Sequence, residues 1–587
     1  MKNSMDSTKD HSFTSENLFL IGILSLAFAL RVWGISYGMP YSFIPDETFL
    51  INRSLAFGTG DLNPHFFEWP GSLLMYGLFI LYGLYYVFGV IIGLFTSTDD
   101  FAISFISDPT HFYTIGRLFT VILSTITVYI TYYTGKTYYN RATGLIGASF
   151  LGIVPIASGV SHFTLTDTPL VLFFTLSFIP IYQIVKTAKP KYYIISGLLV
   201  GLGMSIKYNA AALVVPLLTA HLLNVFKNHQ SYVRIILHKN VLYIILSVIL
   251  GFIAGCPFAI LDYSTFYRDL AHQFSRIHSM GNINAEYPSP LLFYIKTGLI
   301  DGLGIGISIT CLAGVAYAIY RRHQVDLLLL GSIAIYFIYL STSKVAVDKY
   351  LLPIIPLFLI LGASFLATIY QKDIAQFKYR RFLFILGMVL IVVGPLNDSV
   401  ITDYTLTQKD TRSLAKKWIE DHIPPGTRIA IDAGRLNIAK LSPPINDIPE
   451  NLYATYVTGG KDNKYINYET EILSRYHQLR LRALPQKNYP LTRIVISSDG
   501  KIDKDVSLEN FREKGVEYVV VSSYAYQGYL SETYRKNHPE AAEHYRNFYK
   551  NLERYCILIK EFPSEPKKRQ GPFIKIYKIP YFNSKQH

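Results

Sequence analysis

Within Pro45-Asp46-Glu47-Thr48, two carboxylates stand side by side just after a long apolar stretch. Beside a bilayer such a pair is costly unless it is paired, hydrated or useful. One carboxylate can deprotonate a hydroxyl nucleophile while the other holds backbone or ligand. The pair is equally an ordinary acidic opening for a helix expected over residues 47–57, because first-turn acids favour the helix dipole. A second acid, Asp167, lies in Ser161-His162-Phe163-Thr164-Leu165-Thr166-Asp167-Thr168-Pro169. Thr166 or Asp167 can cap the helix that follows, with Pro169 in its first turn.

Cations and further polar groups gather nearby in sequence. The run Asn63-Pro64-His65-Phe66-Phe67-Glu68-Trp69-Pro70 offers His65 and a supporting carboxylate, Glu68, among aromatics that suit headgroup depth. The segment 262–290 carries Arg268, His272, Arg276 and His278. Arg and His at a membrane boundary suit a phosphate, and an amphipathic surface helix carries the same residues. Arg117, Lys207-Tyr208, Lys344 and Lys349-Tyr350 put further cations at helix ends, where snorkelling also places them.

These residues need elements to hold them, and composition says which. The 587 residues are 50% hydrophobic and only 16% charged, with mean hydropathy +0.26. A soluble domain is about a quarter charged, so a disordered chain, a collagen-like chain and an ordinary soluble enzyme are all excluded. Charge is also uneven: about 28% of residues 400–587 are charged, against about 11% of residues 1–399. Apolar runs long enough to span a bilayer lie at 18–37, 70–95, 113–134, 142–160, 168–186, 192–207, 210–226, 240–261, 291–320, 325–343, 349–370 and 381–397. The first is not expected to be cleaved, since no A-x-A-like site follows it and Arg31 interrupts its end.

Lys/Arg-rich loops face the cytoplasm. Those around Lys136, Lys189, Arg234, Arg321 and Arg380 do so together only if 113–134 starts outside. The expectation is therefore that 70–95 does not cross but forms a bent juxtamembrane or re-entrant helix, opened by Trp69-Pro70 and rich in glycine. About eleven spanning helices remain by the length rule. The loops 38–69 and 262–290 and the tail then lie outside. Residues 1–399 read as a membrane domain and 400–587 as an extracytoplasmic α/β domain. Its strands are expected at 428–431, 493–496, 518–521 and 573–577, and its helices at 411–422 and 531–552. The net charge of +14 orients membrane loops rather than marking nucleic acid, for which no recognition motif is present. Cys256, Cys311 and Cys556 form no metal or disulfide framework.

Taken in order, the motifs resemble those of the GT-C glycosyltransferases. They run Pro45-Asp46-Glu47-Thr48, Gly58…Gly60-Asp61-Leu62…Pro64-His65, Glu68…Pro70, Gly116-Arg117…Gly135-Lys136…Asn140-Arg141, His162…Thr166-Asp167-Thr168-Pro169 and Gly201-Leu202-Gly203-Met204…Lys207-Tyr208. The pattern is most similar to the group of protein O-mannosyltransferases and the aminoarabinose transferase of lipid A. Asp348-Lys349-Tyr350-Leu351-Leu352-Pro353 is similar to the Arg-Tyr-x-x-Pro helix of those proteins, and the resemblance covers roughly residues 20–400.

The resemblance implies a GT-C membrane fold. It implies transfer of a sugar from a polyprenyl-monophosphate donor to an acceptor hydroxyl in a glycolipid, polysaccharide or protein, with inversion, on the outer or lumenal face; the absence of a KDEL-like retention signal points to the extracytoplasmic face of the plasma (inner) membrane. It maps the catalytic acidic residue of the first outer loop onto Asp46, read as the base, with Glu47 beside it, and the acidic residue after the third crossing onto Asp167; Glu47, Glu68 and Asp167 would orient the acceptor or Asp46. His65, Glu68, Arg117, His162, Lys207, Tyr208, Arg276, His278, Lys349 and Tyr350 are the substrate-binding candidates. The lipid A enzyme has Phe-Glu-Lys-Pro where this chain has Phe67-Glu68-Trp69-Pro70, so the phosphate contact is expected from Arg117, Lys207, Arg276 or Lys349. The His-Pro-Pro and lumenal domains of the protein mannosyltransferases are not matched, which argues against a protein acceptor. No cofactor is required; Mg or Mn is compatible with Asp46, Glu47 and Asp167 as hard oxygen ligands. Membrane lipids are the expected surroundings. A multi-spanning transporter and an inactive assembly subunit are the alternatives. Against the first, no inverted repeat is visible; against the second, Asp46 and Asp167 are retained.

Overall fold

A computed structural model describes residues 7–227, 238–279, 287, 289–343, 346–371, 379–434, 441–445, 489–495, 500–530 and 532–580. The chain falls into two compact units. One comprises Met1–Ile35, Phe49–Gly83 and Ile115–Asp403; the other comprises Ser36–Thr48, Leu84–Thr114 and Tyr404–His587.

All twelve apolar runs are helical. The first ten α-helices are α1 (Ser7–Val32), α2 (Pro45–Ala56), α3 (Ser72–Ile91), α4 (Thr98–Ser107), α5 (Thr110–Tyr138), α6 (Arg141–Ile153), α7 (Pro155–Ser161), α8 (Asp167–Thr187), α9 (Pro190–Ile206) and α10 (Val214–Lys227). Among the described residues, eight helices are long and apolar enough to cross a membrane, or up to ten if each of two bent pairs is one span. The protein is thus a polytopic helical membrane protein with a small sheet region. The count differs from eleven for physical reasons. Helix α9 and the helix Lys239–Gly255 have 17 residues each. Such a helix rises about 26 Å, just under the ~30 Å hydrocarbon core. The runs at 142–160 and 291–320 are bent, by 58° between Ile153 and Pro155 and by 115° between Asp301 and Ile305. At the first bend Val154 is extended and Pro155 starts the new helix, as the residue before proline prefers.

The bend expected within 70–95 is absent: its core, α3, is one continuous helix, long and apolar enough to cross a membrane by length and composition. Internal glycines lower helix propensity by about 1 kcal/mol each without forcing a kink. The glycines with positive φ stand at its two ends, Gly71 and Gly93.

Two spans are the innermost. In Asp167–Thr187 and Asp348–Gln371, 78% and 83% of the apolar window is buried. Helix α9 packs against Lys239–Gly255 along a seam of small residues. A Cβ on Gly201 would meet Phe252 N at 2.6 Å, and one on Gly251 would meet Leu198 O at 2.5 Å. Such seams let apolar helices approach closely where lipid gives no hydrophobic drive. The end of α9 is thereby fixed.

Among the described residues the second unit contains a five-stranded sheet. Its strands are β1 (Ile429–Gly434), β2 (Leu491–Val495), β3 (Tyr518–Ser522), β4 (Ile557–Phe562) and β5 (Ile574–Lys578), in the order β2-β1-β3-β5-β4. β1 is parallel to β2 and β3; β5 is antiparallel to β3 and β4. Successive side chains take opposite faces. Val519 and Val521 join Ala542, Tyr545 and Phe548 of helix Pro539–Tyr555 on one face. Ile429, Val520 and Ile576 join Ala415 and Ile419 of helix Thr411–His422 on the other. All four expected strands are present, and β4 is an additional edge strand.

Candidate active site

Three chain segments bring charge to one point in the first unit. Helix α8 begins at Asp167. Helix α9 ends at Ile206, and Lys207 is extended (φ −158°, ψ 132°) before a short 3₁₀ turn, Tyr208–Leu213. A second 3₁₀ turn, Asp348–Ile354, carries Lys349. Asp167 Oδ1 accepts a hydrogen bond from Lys207 Nζ at 2.7 Å, and Lys349 Nζ lies 3.5 Å from Asp167 Oδ2. The carboxylate is buried, while the two lysine side chains keep 12% and 20% of their exposure. The Lys207 ammonium stands 4.5 Å over the Tyr350 ring, and Tyr336 Oη donates to the Tyr350 carbonyl at 3.1 Å.

The arrangement departs from simple helix capping. Thr166 occupies the cap position without a side-chain cap bond, and the Asp167 carboxylate is engaged by lysines. Two ammonium groups meet at one carboxylate, so positive charge is gathered there. In a setting drier than bulk water that charge attracts an anion more strongly, and lysine is a point-charge phosphate binder.

The segment 61–71 is laced beside this cluster. Tyr208 Oη donates to the Phe67 carbonyl at 2.6 Å, and Gly71 N donates to Ile206 O at 3.1 Å. On its other side the segment meets the helix Tyr263–Ser279 and the residue before it. Asn63 Nδ2 donates to Asp262 Oδ2 at 2.9 Å, and Phe67 N to Asp269 Oδ2 at 2.9 Å. Glu68 Oε1 lies 2.8 Å from His272 Nδ1. His65 Nε2 is 2.8 Å from Asp61 Oδ2, and its Nδ1 is 3.8 Å from Asp262 Oδ2. Burial alone raises the Asp262 carboxyl, but hydrogen bonds from Asn63 and Thr265 and the nearby His65 bring it below its ordinary value. His65 and Glu68 thus hold the segment that flanks Lys207.

Other expected site residues are placed differently. His162 and Arg117 are buried. His162 Nδ1 is 2.8 Å from Ser158 O and Nε2 is 2.9 Å from Trp33 O, with Asp403 Oδ1 3.3 Å away. Arg117 donates to Ile35 O at 2.6 Å and lies 5.3 Å over the Phe163 ring. Both hold the chain as it leaves the first span. Arg31 does similar work: its guanidinium donates to Ser124 Oγ and to the carbonyls of Ala27, Leu151 and Gly152. Its signal in the sequence was an arginine inside an apolar run.

Asp46 and Glu47 lie in the second unit, in the first turn of α2. Glu47 is buried and accepts from Ser42 Oγ at 3.1 Å, whereas Asp46 is half-buried. The side chains of Arg276 and His278 lie outside the described residues, as does Lys344. Among the described residues no group of three or more His, Cys, Asp or Glu side chains could hold a metal ion.

Residues 113–254 match the family described as dolichyl-phosphate-mannose-protein mannosyltransferase. The chain therefore resembles the GT-C glycosyltransferases over the stretch that holds Arg117, His162, Asp167, Lys207 and Tyr208. Among solved structures it is similar to the Archaeoglobus fulgidus oligosaccharyltransferase in the apo form (13% identity, TM-score 0.48, covering 97% of this chain and 74% of that one). It is also similar to ArnT from Cupriavidus metallidurans bound to undecaprenyl phosphate (12% identity, TM-score 0.47, covering 95% and 97%). A third likeness is to the arabinofuranosyltransferase AftD from Mycobacteria (14% identity, TM-score 0.41, covering 96% and 40%). These likenesses are too distant to carry a residue's role across. No curated protein matches the chain.

Proposed function

We propose that this protein is a membrane glycosyltransferase that moves a sugar from a polyprenyl-monophosphate donor to an acceptor hydroxyl, with inversion, at the extracytoplasmic face. The observation that carries the reading is the buried Asp167 flanked by Lys207 and Lys349; Asp167 and Lys207 lie within residues 113–254, which match a lipid-phosphate-sugar transferase family. Prenyl monophosphate is a good leaving group once its charge is met, so the site needs fixed cations more than an acid. Lys207 and Lys349 supply them, and Asp167 holds both ammonium groups in place between turnovers.

The acceptor oxygen attacks the anomeric carbon as the bond from that carbon to the phosphate oxygen breaks. The bonding pair leaves on the phosphate. The hydroxyl proton passes to a carboxylate, the role assigned to Asp46, because a hydroxyl is too weak an acid to give up its proton unaided at neutral pH. No step is routed through a metal.

The test uses membranes containing the full chain and a radiolabelled polyprenyl-phosphate sugar. Lys207→Met and Lys349→Met are expected to lower transfer at normal protein levels, and Asp46→Asn to abolish it. Unchanged transfer in both lysine variants would remove the phosphate site from the reading; unchanged transfer in Asp46→Asn would remove the base.

A further inference from the structure

The segment 36–48, which ends in Asp46, Glu47 and Thr48, belongs to the same compact unit as residues 404–587. Its side chains are gripped by the start of helix Thr411–His422. Asp410 caps that helix, its Oδ1 accepting from Arg412 N at 2.8 Å. The same carboxylate takes Arg412 as a two-pronged ion pair, Nε to Oδ1 and Nη2 to Oδ2, both 2.8 Å. Both residues are buried. Both also contact the segment: Tyr37 Oη donates to Asp410 Oδ2 at 2.5 Å, and Arg412 lies 3.8 Å over the Phe43 ring. One helical turn on, where i and i+4 share a face, Lys416 Nζ stands 5.0 Å over the Tyr41 ring.

The grip reaches the acidic pair through short links. Ser42, beside Phe43, donates to Glu47 Oε2 at 3.1 Å. On the far side Tyr113 Oη donates to Thr48 Oγ1 at 3.0 Å. Burial, then the neighbouring Asp410 carboxylate, pushes the Tyr37 phenol up, so it stays a neutral donor. Phe43 and Thr48 are therefore held on either side of Asp46. A solvated loop needs none of this: a buried ion pair, a cation over an aromatic ring and a buried phenol are costly to assemble unless they fix a conformation.

We infer that the α/β domain positions the Asp46 carboxylate, with Arg412 and Tyr37 as positioning residues. This rests on the reading of Asp46 as base. It gives the domain a role in catalysis without placing any of its groups on the substrate.

Two readouts on the full chain in membranes separate this inference from the reading beneath it. The first is thiol alkylation of Asp46→Cys in a Cys556→Ser background, which needs no catalysis. The second is transfer, resolved into kcat and the donor KM. Tyr37→Phe removes one hydroxyl, leaves the Asp410–Arg412 pair intact and is the variant safest for folding; Arg412→Gln is the stronger one. Both are expected to speed alkylation several-fold and to lower kcat by about 10- to 100-fold at unchanged donor KM, as small misplacements of a catalytic group do. Arg412→Lys, which keeps the cation over Phe43, is expected to restore part of kcat. Unchanged alkylation, or faster alkylation with unchanged kcat, would overturn the positioning role while leaving the sugar-transfer reading in place. Full transfer by Asp46→Asn would instead sink the base, and the inference with it.

Discussion

Asp167 and Lys207, 40 residues apart in sequence, form an ion pair 2.7 Å long with the carboxylate buried and the ammonium barely exposed. The pair does not close on itself. Lys349 approaches the other carboxylate oxygen at 3.5 Å, so two ammonium groups share one carboxylate.

That imbalance makes the two lysines separable from the aspartate by mutation. Lys207→Met removes a hydrogen bond to a charged group, a stability loss of about 1.5–3 kcal/mol. It is expected to lower transfer about 100-fold or more, the cost of one preorganised charge contact to the leaving group. Removing both partners of a buried pair is often neutral for stability. The double variant Lys207→Met with Asp167→Leu should therefore regain thermal stability while transfer stays low. Thermal midpoints and initial rates, normalised to protein level, check both halves. Recovery of transfer in the double variant would show that Lys207 does not contact phosphate.

Asp167→Asn makes the opposite change. It removes the carboxylate charge that faces Lys207 and Lys349, so an incoming phosphate no longer competes with that charge for the two ammonium groups. The expected outcome is tighter binding of the released polyprenyl phosphate, since a nearby negative charge no longer competes for the lysines. Product inhibition should strengthen by about tenfold, the factor that corresponds to roughly 1.4 kcal/mol. Inhibition by added polyprenyl phosphate, compared between parent and variant, measures this directly; weaker inhibition would contradict the assignment.

The reach of the sequence can be judged from these same residues. Hydropathy located every apolar run, because spanning length is a local property. It could not show the bend at Val154-Pro155 or the one between Asp301 and Ile305, which do not change composition. Lys207 and Lys349 were each visible as cations at helix ends, but snorkelling explains any single one. Only the fold brings them to one carboxylate. Arg117 and His162 carry polar groups inside a motif and so read as ligands for substrate. Their partners are the carbonyls of Ile35 and Trp33, contacts that no spacing encodes. Part of the heavy use of tyrosine, 46 residues, also has its reason here. Tyr138, Tyr208 and Tyr336 donate to the backbone carbonyls of Phe178, Phe67 and Tyr350. Strand β4 was legible in Ile557-Leu558-Ile559 but is an exposed edge, without the alternating burial that marks a half-buried strand.

Asp262 gives a pH dependence outside the membrane spans. Its carboxyl lies below the ordinary value in the folded chain, because hydrogen bonds from Asn63 and Thr265 and the charge of His65 outweigh burial. A group whose folded pKa is depressed stabilises fully above its unfolded pKa, about 3.9 for Asp. That stability is lost as pH falls through the folded value. Asp262→Ala should therefore lower the thermal midpoint at pH 7, and the gap from the parent should narrow only below about pH 4. Detergent-solubilised protein melted between pH 3 and pH 7 gives the comparison. A gap that is constant across this range would mean that the carboxylate charge contributes nothing at the junction of segment 61–71 with the helix Tyr263–Ser279.

Gly571 offers a test of the α/β domain that replaces neither Asp46 nor a member of the Asp410–Arg412 ion pair. It has φ +113°, a conformation that L side chains rarely adopt, and a Cβ there would run into Thr411 Oγ1 and come within 2.8 Å of Asp410 Oδ1. The glycine lets the 570–572 turn close on the helix cap, where Thr411 N donates to Gln570 O at 3.2 Å and Thr411 Oγ1 donates to Pro572 O at 2.7 Å. Gly571→Ala must shift this turn or the cap. The strain costs on the order of 1–3 kcal/mol, seen as a lower thermal midpoint. Because Asp410 also holds Tyr37 and Arg412, the displacement should pass into segment 36–48 and lower kcat at unchanged donor KM. Gly426→Ala is the comparison: that glycine also has positive φ (+89°) in the same unit, but its added Cβ would meet nothing within 4 Å. It should share the loss of stability without the loss of kcat. Equal effects of the two variants on kcat, at matched thermal midpoints, would mean that the turn at Gly571 matters to transfer only through stability.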